Sequence, residues 1–147
     1  MDVERIAKPW GAITRIWDTP TLRIEPIEIL PGGYSSRHVH WNQRNAFILC
    51  EGSVDIRIFE DDEANDDKPC YVKELRKPFD AFIVDAGDWH QFFCYKPSKL
   101  IEVYFPAEVC ADDIERRSEN GREPQSIKGD GFVMGGEHFV GANFILD

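Results

Sequence analysis

Three histidines and one asparagine are the residues of this chain whose types and spacing suit a metal. His38-Val39-His40 is an alternating pair, and in an extended strand residues two apart project to the same face. Both imidazoles therefore point one way. His90, within Asp85-Ala86-Gly87-Asp88-Trp89-His90, supplies a third imidazole from a distant segment. His38, His40 and His90 would fill three tetrahedral positions, or half an octahedral shell, around a transition metal. Asn45 offers a neutral amide carbonyl, a weaker donor than a carboxylate, as a fourth ligand or as a neighbour behind the ligands. Cys94, four residues after His90, shares its face in a regular strand and is either a soft ligand or a buried thiol. A shell of three histidines and water suits zinc, iron or nickel better than magnesium.

Trp41 and Trp89 adjoin histidines of this set, and aromatic faces at a pocket mouth are what sugar rings stack on. Among the arginines, Arg37, Arg44, Arg116 and Arg122 have guanidinium forks that match phosphate oxygens, although a surface ion pair is the simpler role for any one of them. Trp41, Arg44, Trp89 and Arg116 are the candidate substrate contacts. Glu102 alternates with Ile101 and Val103. If that apolar pair is core, Glu102 is solvated or, at a pocket, a base. His138 has no partner in the sequence and reads as a surface residue, and no catalytic base stands out.

The elements that must position these residues read as strands. From Ala12 to Phe105 short β-like runs alternate with turn residues, as in an all-β barrel or sandwich. Thr21–Glu25 alternates, Pro26 interrupts, and Ile27–Ile29 resumes out of phase, predicting a bulge or an edge strand. Ala46–Cys50 and Val54–Ile58 predict a hairpin turning at Glu51-Gly52. Glu60–Asp67 carries six carboxylates in eight residues and reads as a solvated loop. Ala107–Arg117 is the one predicted helix, acidic early and basic late as its dipole favours. The glycine-rich tail to Asp147 ends on apolar residues and is expected to pack on the barrel or a partner copy.

At 147 residues, with 42% hydrophobic and 12% aromatic content, the chain fits one domain with one core. The barrel is expected at about 8–106, with the helix and tail at about 107–147. The excess of 27 acidic over 17 basic residues, net −10, repels nucleic-acid and anionic membrane surfaces. With neither an N-terminal leader nor an apolar run of membrane-spanning length, a cytoplasmic location is expected. Cys50, Cys70, Cys94 and Cys110 form no C-x-x-C pair and read as reduced thiols, mostly core.

Gly32, His38-x-His40, Asn45 and Gly52 in this order resemble the first motif of the cupin superfamily, and Gly87-x-x-His90 resembles the second. The motif glutamate is here Asn45, the proline before the second glycine is Asp85, and the closing asparagine is Cys94. The resemblance implies an all-β, double-stranded β-helix jelly-roll barrel with a metal in its mouth. A narrower likeness is to the cupin domain of type II mannose-6-phosphate isomerases. It rests on Lys8-Pro9-Trp10-Gly11, Leu30-Pro31-Gly32-Gly33-Tyr34-Ser35, Leu100-Ile101-Glu102-Val103, Asp112-Asp113-Ile114-Glu115-Arg116 and Asn120-Gly121-Arg122. It implies a role in carbohydrate metabolism as a divalent-metal-dependent sugar-phosphate isomerase, commonly with zinc, acting on a small phosphorylated sugar. Cupins frequently form homodimers. Two alternatives stay open: a non-catalytic sugar- or small-molecule-binding cupin with a weakened or lost metal site, and a three-histidine iron dioxygenase.

Overall fold

Two long antiparallel strands carry the architecture of the computed structural model, which describes residues 3–60, 68–105 and 115–124. In chain order the strands are β1 (Glu4–Lys8), β2 (Gly11–Arg15), β3 (Trp17–Thr19), β4 (Leu22–Ile29), β5 (Gly33–Tyr34), β6 (His38–Val39) and the long β7 (Arg44–Phe59). After them come β8 (Tyr71–Leu75), β9 (Ala81–Val84), the long β10 (Trp89–Phe105), β11 (Glu115–Arg116) and β12 (Gly121–Arg122). The described residues contain no helix, hence none long and apolar enough to cross a membrane.

β7 and β10 pair from Trp89 opposite Phe59 to Phe105 opposite Arg44, with register shifts between Cys94 and Leu100. At that interruption the ribbon turns a corner. On one side Ser98–Tyr104 pair with β4 and Asn45–Ile48 with β9. On the other, His90 pairs with β6, Phe93 with β5, and Val54–Ile58 with β8. One ribbon thus serves two sheets, and curling it lets both inner faces close on a shared core. That core joins Trp10, Ile27, Ile29, Phe47, Leu49 and Leu100 from one side to Val54, Ile56, Leu75 and Phe92 from the other. Each such side chain contributes about 1.5–3 kcal/mol by leaving water.

The corner differs from the hairpin expected at Glu51-Gly52. β7 runs straight through these residues, because both of its halves find partners along the same β10 and the chain bends without reversing. Gly52 has φ +106°, and a Cβ there would lie 2.0 Å from Ser98 Oγ. Only glycine permits that backbone and that approach. Ser98 accepts the Ser53 N–H at 2.9 Å across the corner.

Pro26 also sits differently from expectation. β4 is one strand paired with β10 throughout, Pro26 standing opposite Ile101. On the other edge, pairing with β3 stops at Ile24 and pairing with β2 starts at Ile27. Pro26 therefore occupies the gap between two partners, where a missing N–H costs no ladder bond. Glu115 and Arg116, the end of the expected helix, are strand residues pairing with Val39 and His38. Residues 107–114 of that helix, the acidic loop from Asp61, Cys110, His138 and the tail from Gln125 lie outside the described residues.

Along three neighbouring strands the inner face changes from apolar to polar at one level. Inward from the corner β10 presents Leu100, then Glu102 and Tyr104; β7 presents Leu49, Phe47, then Asn45; β4 presents Ile29, Ile27, then Glu25. Glu102 is opposite Glu25, and Tyr104 opposite Asn45. Glu25, Asn45 and Glu102 are all buried. This polar end of the barrel is where the histidines arrive.

Candidate metal centre and its cavity

His38 is the first residue of β6, directly opposite His90 on β10, and His40 follows as β6 ends. The His38 and His90 ring centroids are 4.4 Å apart, His38 and His40 5.1 Å, His40 and His90 5.6 Å. One potential ligand nitrogen from each ring lies within 4.8 Å of the others. His40 and His90 are buried and His38 is partly accessible. The alternation of His-x-His and the long-range partner were both legible in the sequence.

The surrounding hydrogen bonds orient the rings. His38 Nδ1 is 2.7 Å from the Ser36 carbonyl and His90 Nδ1 is 2.9 Å from the Asp88 carbonyl. A carbonyl only accepts, so each Nδ1 carries the proton and each Nε2 keeps its lone pair. His40 Nδ1 lies 2.9 Å from the Gln43 amide, whose Oε1 is buried without a hydrogen-bond partner. Turned about its axis, that amide accepts His40 Nδ1–H and the third ring matches the other two. Gln43 is thus a supporting residue that the sequence did not single out; its spacing of three from His40 in a turn was the available signal. Burial, followed by repulsion from His90 and His40, holds the His38 imidazolium form well below its ordinary range. Burial brings His90 down to about 3. Three imidazoles with Nδ1 tied back, His38 and His90 held neutral by burial, are a transition-metal donor set. His90 Nε2, buried with no hydrogen-bond partner, is what such an ion would satisfy.

A cavity of about 80 Å³ opens beside His38. Trp10, Ile13, Phe47 and Phe92 form its apolar lining, and Ser35, Ser36, Lys8, Arg116 and Asn120 are polar lining residues. Glu102 and Tyr104 face into it. Tyr104 O–H donates to Glu102 Oε2. Burial raises the Glu102 carboxyl to about 7; the Tyr104 bond, Asn45 and Lys8 pull it down, and Glu25 pushes it up. Glu25 is met by Arg15 at 2.8 Å and Arg23 at 3.6 Å. The alternation of β10 runs opposite to the core reading of Ile101 and Val103: Glu102 is buried while they are half-exposed.

Of the other candidates, Arg116 lines the cavity and donates Nε–H to Ser36 Oγ at 3.0 Å. Asn45 is buried at the Tyr104 level, its amide facing Glu102 without a well-aligned hydrogen bond. Cys94 is not in the histidine cluster. It packs in the core at the ribbon corner, donating to the Lys96 carbonyl at 2.6 Å, with burial raising its thiol to about 11. Trp89 is buried with Val39 and Phe59 under the Arg117 guanidinium. Trp41 is half-exposed against its edge. Arg44 forms a surface ion pair with Asp85 at 3.2 Å, Arg37 lies over Phe59, and Arg122 donates to the Pro31 carbonyl. None of Trp41, Arg44, Trp89, Arg37, Arg122 lines the cavity. Nor are the cysteines mostly core: Cys94 is buried, Cys50 half-buried and Cys70 exposed, all three free thiols.

No protein-family model matches this sequence, and no curated protein matches it. Solved structures do. KdgF from Halomonas sp. is 17% identical with TM-score 0.60, over 76% of this chain and 90% of that one. Oxalate decarboxylase from Bacillus subtilis is 12% identical with TM-score 0.67, over 91% of this chain and 43% of that one. CapF from Staphylococcus aureus, a capsular polysaccharide assembling protein, is 14% identical with TM-score 0.61, over 80% of this chain and 32% of that one. The chain therefore spans less than half of the oxalate decarboxylase and CapF chains. A protein from Klebsiella pneumoniae described by its double-stranded β-helix domain matches over 79% of this chain at TM-score 0.60. The curled two-sheet barrel is thus a double-stranded β-helix.

Proposed function

We propose that the chain is a divalent-metal-dependent cupin enzyme acting on a small polar substrate, as an aldose–ketose isomerase of phosphorylated sugars. The observation that carries this is the convergence of His38, His40 and His90, Nδ1 atoms tied back, beside a half-enclosed cavity with a buried carboxyl and two cations. His38, His40 and His90 would hold the ion, which when bound supplies positive charge for the substrate oxygens as negative charge develops on them. Lys8 and Arg116 would bind the phosphate. Trp10, Ile13, Phe47 and Phe92 exclude water, which strengthens every electrostatic interaction inside. Asn45 serves the polar wall beside Glu102 in this reading. Zinc, a homodimeric assembly and a cytoplasmic location belong to the same proposal.

A second reading is favoured by the small cavity. Oxalate decarboxylase from Bacillus subtilis carries Mn(II) centres, and a compact carboxylic acid would suit about 80 Å³ better than a hexose phosphate does. Metal analysis of the purified protein, followed by a coupled assay from mannose 6-phosphate to fructose 6-phosphate, separates the two. Stoichiometric zinc with turnover supports the isomerase; manganese with turnover of a small dicarboxylate supports the second reading. No metal at all sinks both. His90→Ala is expected to lose the metal while keeping the circular dichroism of the barrel, and stoichiometric metal in that variant would refute the ligand set.

A further inference from the structure

We propose that Glu102 is the proton carrier of this cavity, removing a proton from the bound substrate and returning it to the neighbouring carbon. The assignment rests on the reading of the cavity as a reaction site and adds the group that moves the proton. A carboxyl buried inside a barrel is rare, and this one is 6% exposed on a cavity wall, with the charge of Lys8 facing it. The arginines nearby are placed elsewhere: Arg15 and Arg23 are on Glu25, and Arg116 donates to Ser36. The groups facing Glu102 are Tyr104 from its own strand, Glu25 from β4, Asn45 from β7 and Lys8 from β1; His38 and Arg116 share the cavity. Tyr104 is a positioning residue. Its hydroxyl donates to Oε2, and its ring stands edge-on to His40 at 5.4 Å. The carboxyl is thereby tied to the histidine cluster.

A carboxyl titrating at about 7 is divided between acid and base at neutral pH, as a group that both takes and returns a proton must be. In an aldose, the Glu102 carboxylate takes the proton from C2. The C–H pair becomes the C1–C2 double bond, and the carbonyl pair moves onto O1. The O2 hydroxyl proton passes to O1, the carbonyl forms at C2, and Glu102 returns its proton to C1. Nothing is oxidised or reduced, and the product is the ketose isomer.

The test uses the zinc-loaded protein and its Glu102→Gln variant, which keeps the side-chain volume. Solvent deuterium exchange at C2 of mannose 6-phosphate, followed by NMR, is expected to fall about 10²–10⁴-fold with zinc content unchanged. Exchange at the wild-type rate overturns the proposal. Infrared titration of the metal-free protein is expected to show a carboxyl changing near pH 7 that is missing in the variant; a carboxyl titrating below pH 5 also overturns it. Tyr104→Phe removes a hydrogen bond to the carboxylate and is expected to move that titration up by about one pH unit, a shift that a purely structural role does not produce. If the wild type exchanges nothing, the isomerase reading fails, and sulfate decides the assignment. An anion beside Glu102 raises its pKa, so sulfate binding near pH 7 takes up protons in the wild type and not in Glu102→Gln; equal uptake in both, or none, refutes it.

Discussion

At the scale of single residues, the polar end of the barrel is organised around groups kept neutral by burial. Glu102 and Glu25 are cross-strand neighbours, an arrangement that costs energy when both are charged. Here Arg15 and Arg23 meet Glu25, and Glu102 rises to about 7. The sign of the stability effect follows. A carboxyl raised in the folded state binds more protons there than in the unfolded chain, where it titrates near 4.3. Its contribution is therefore lost as pH rises from about 4.3 to 7. Glu102→Gln is expected to gain on the wild type by up to ~3 kcal/mol over that window, in denaturant melts of the metal-free proteins at pH 5 and 8. A constant difference would mean that Glu102 is not buried as described. Its pairing with Tyr104 was readable only as a spacing of two; that both point inward followed from the register of β10 with β4 and β7.

Elements decide how the histidines meet. β6 is two residues long and has little strand stability of its own, so His38 is held by pairing with His90 on one side and Arg116 on the other. Gly87 completes the arrangement: its N–H donates to the His40 carbonyl at 2.9 Å, tying the two histidine segments together. The ribbon corner is the other critical element. Gly52→Ala forces a Cβ onto Ser98 at a positive φ and is expected to destabilise by at least about 1–3 kcal/mol, read as a lowered urea midpoint. An unchanged midpoint would show that the corner relaxes freely. The turn before β9 stores strain of the same kind. Phe79 has φ 72° and is 82% exposed, while its N–H is fixed to the Leu49 carbonyl at 2.7 Å. Phe79→Gly loses little packing and is expected to raise stability by about 1 kcal/mol, or about 2–4 °C in Tm for a domain of this size. A fall in Tm would show that the aromatic ring contributes contacts.

For the whole molecule, metal binding and stability are linked. An ion that binds only the folded chain stabilises it by about 2.7 kcal/mol at a hundredfold excess over Kd. Added zinc is expected to raise Tm by about 5–10 °C, with reversal by chelator and no response in His90→Ala. An equal rise in that variant would point to ion binding away from the cluster. The barrel also explains why Trp89 misses the cavity despite adjoining His90 in β10. Neighbours along a strand face opposite sides, so a residue beside an inward histidine is directed away from it.

Alternation and residue type determined a great deal without any structure. The all-β class, the inward pairing of His38 and His40, and His90 as their partner all follow from the period of two and the chemistry of imidazole. Local pattern misled where a partner strand mattered: Gly52 was a turn by composition and a bend by pairing, and Pro26 an interruption by chemistry and a gap-filler by position. Cys94, by its face a soft ligand or a buried thiol, is a buried thiol at the corner where the ribbon turns. Burial is a property of what packs against a residue, and only the tertiary structure brings Glu25, Asn45, Glu102 and Tyr104 to one level beside the histidines. That is why the donor set was visible in the sequence, while Glu102 stood between a solvated residue and a pocket base until the fold placed it on the cavity wall.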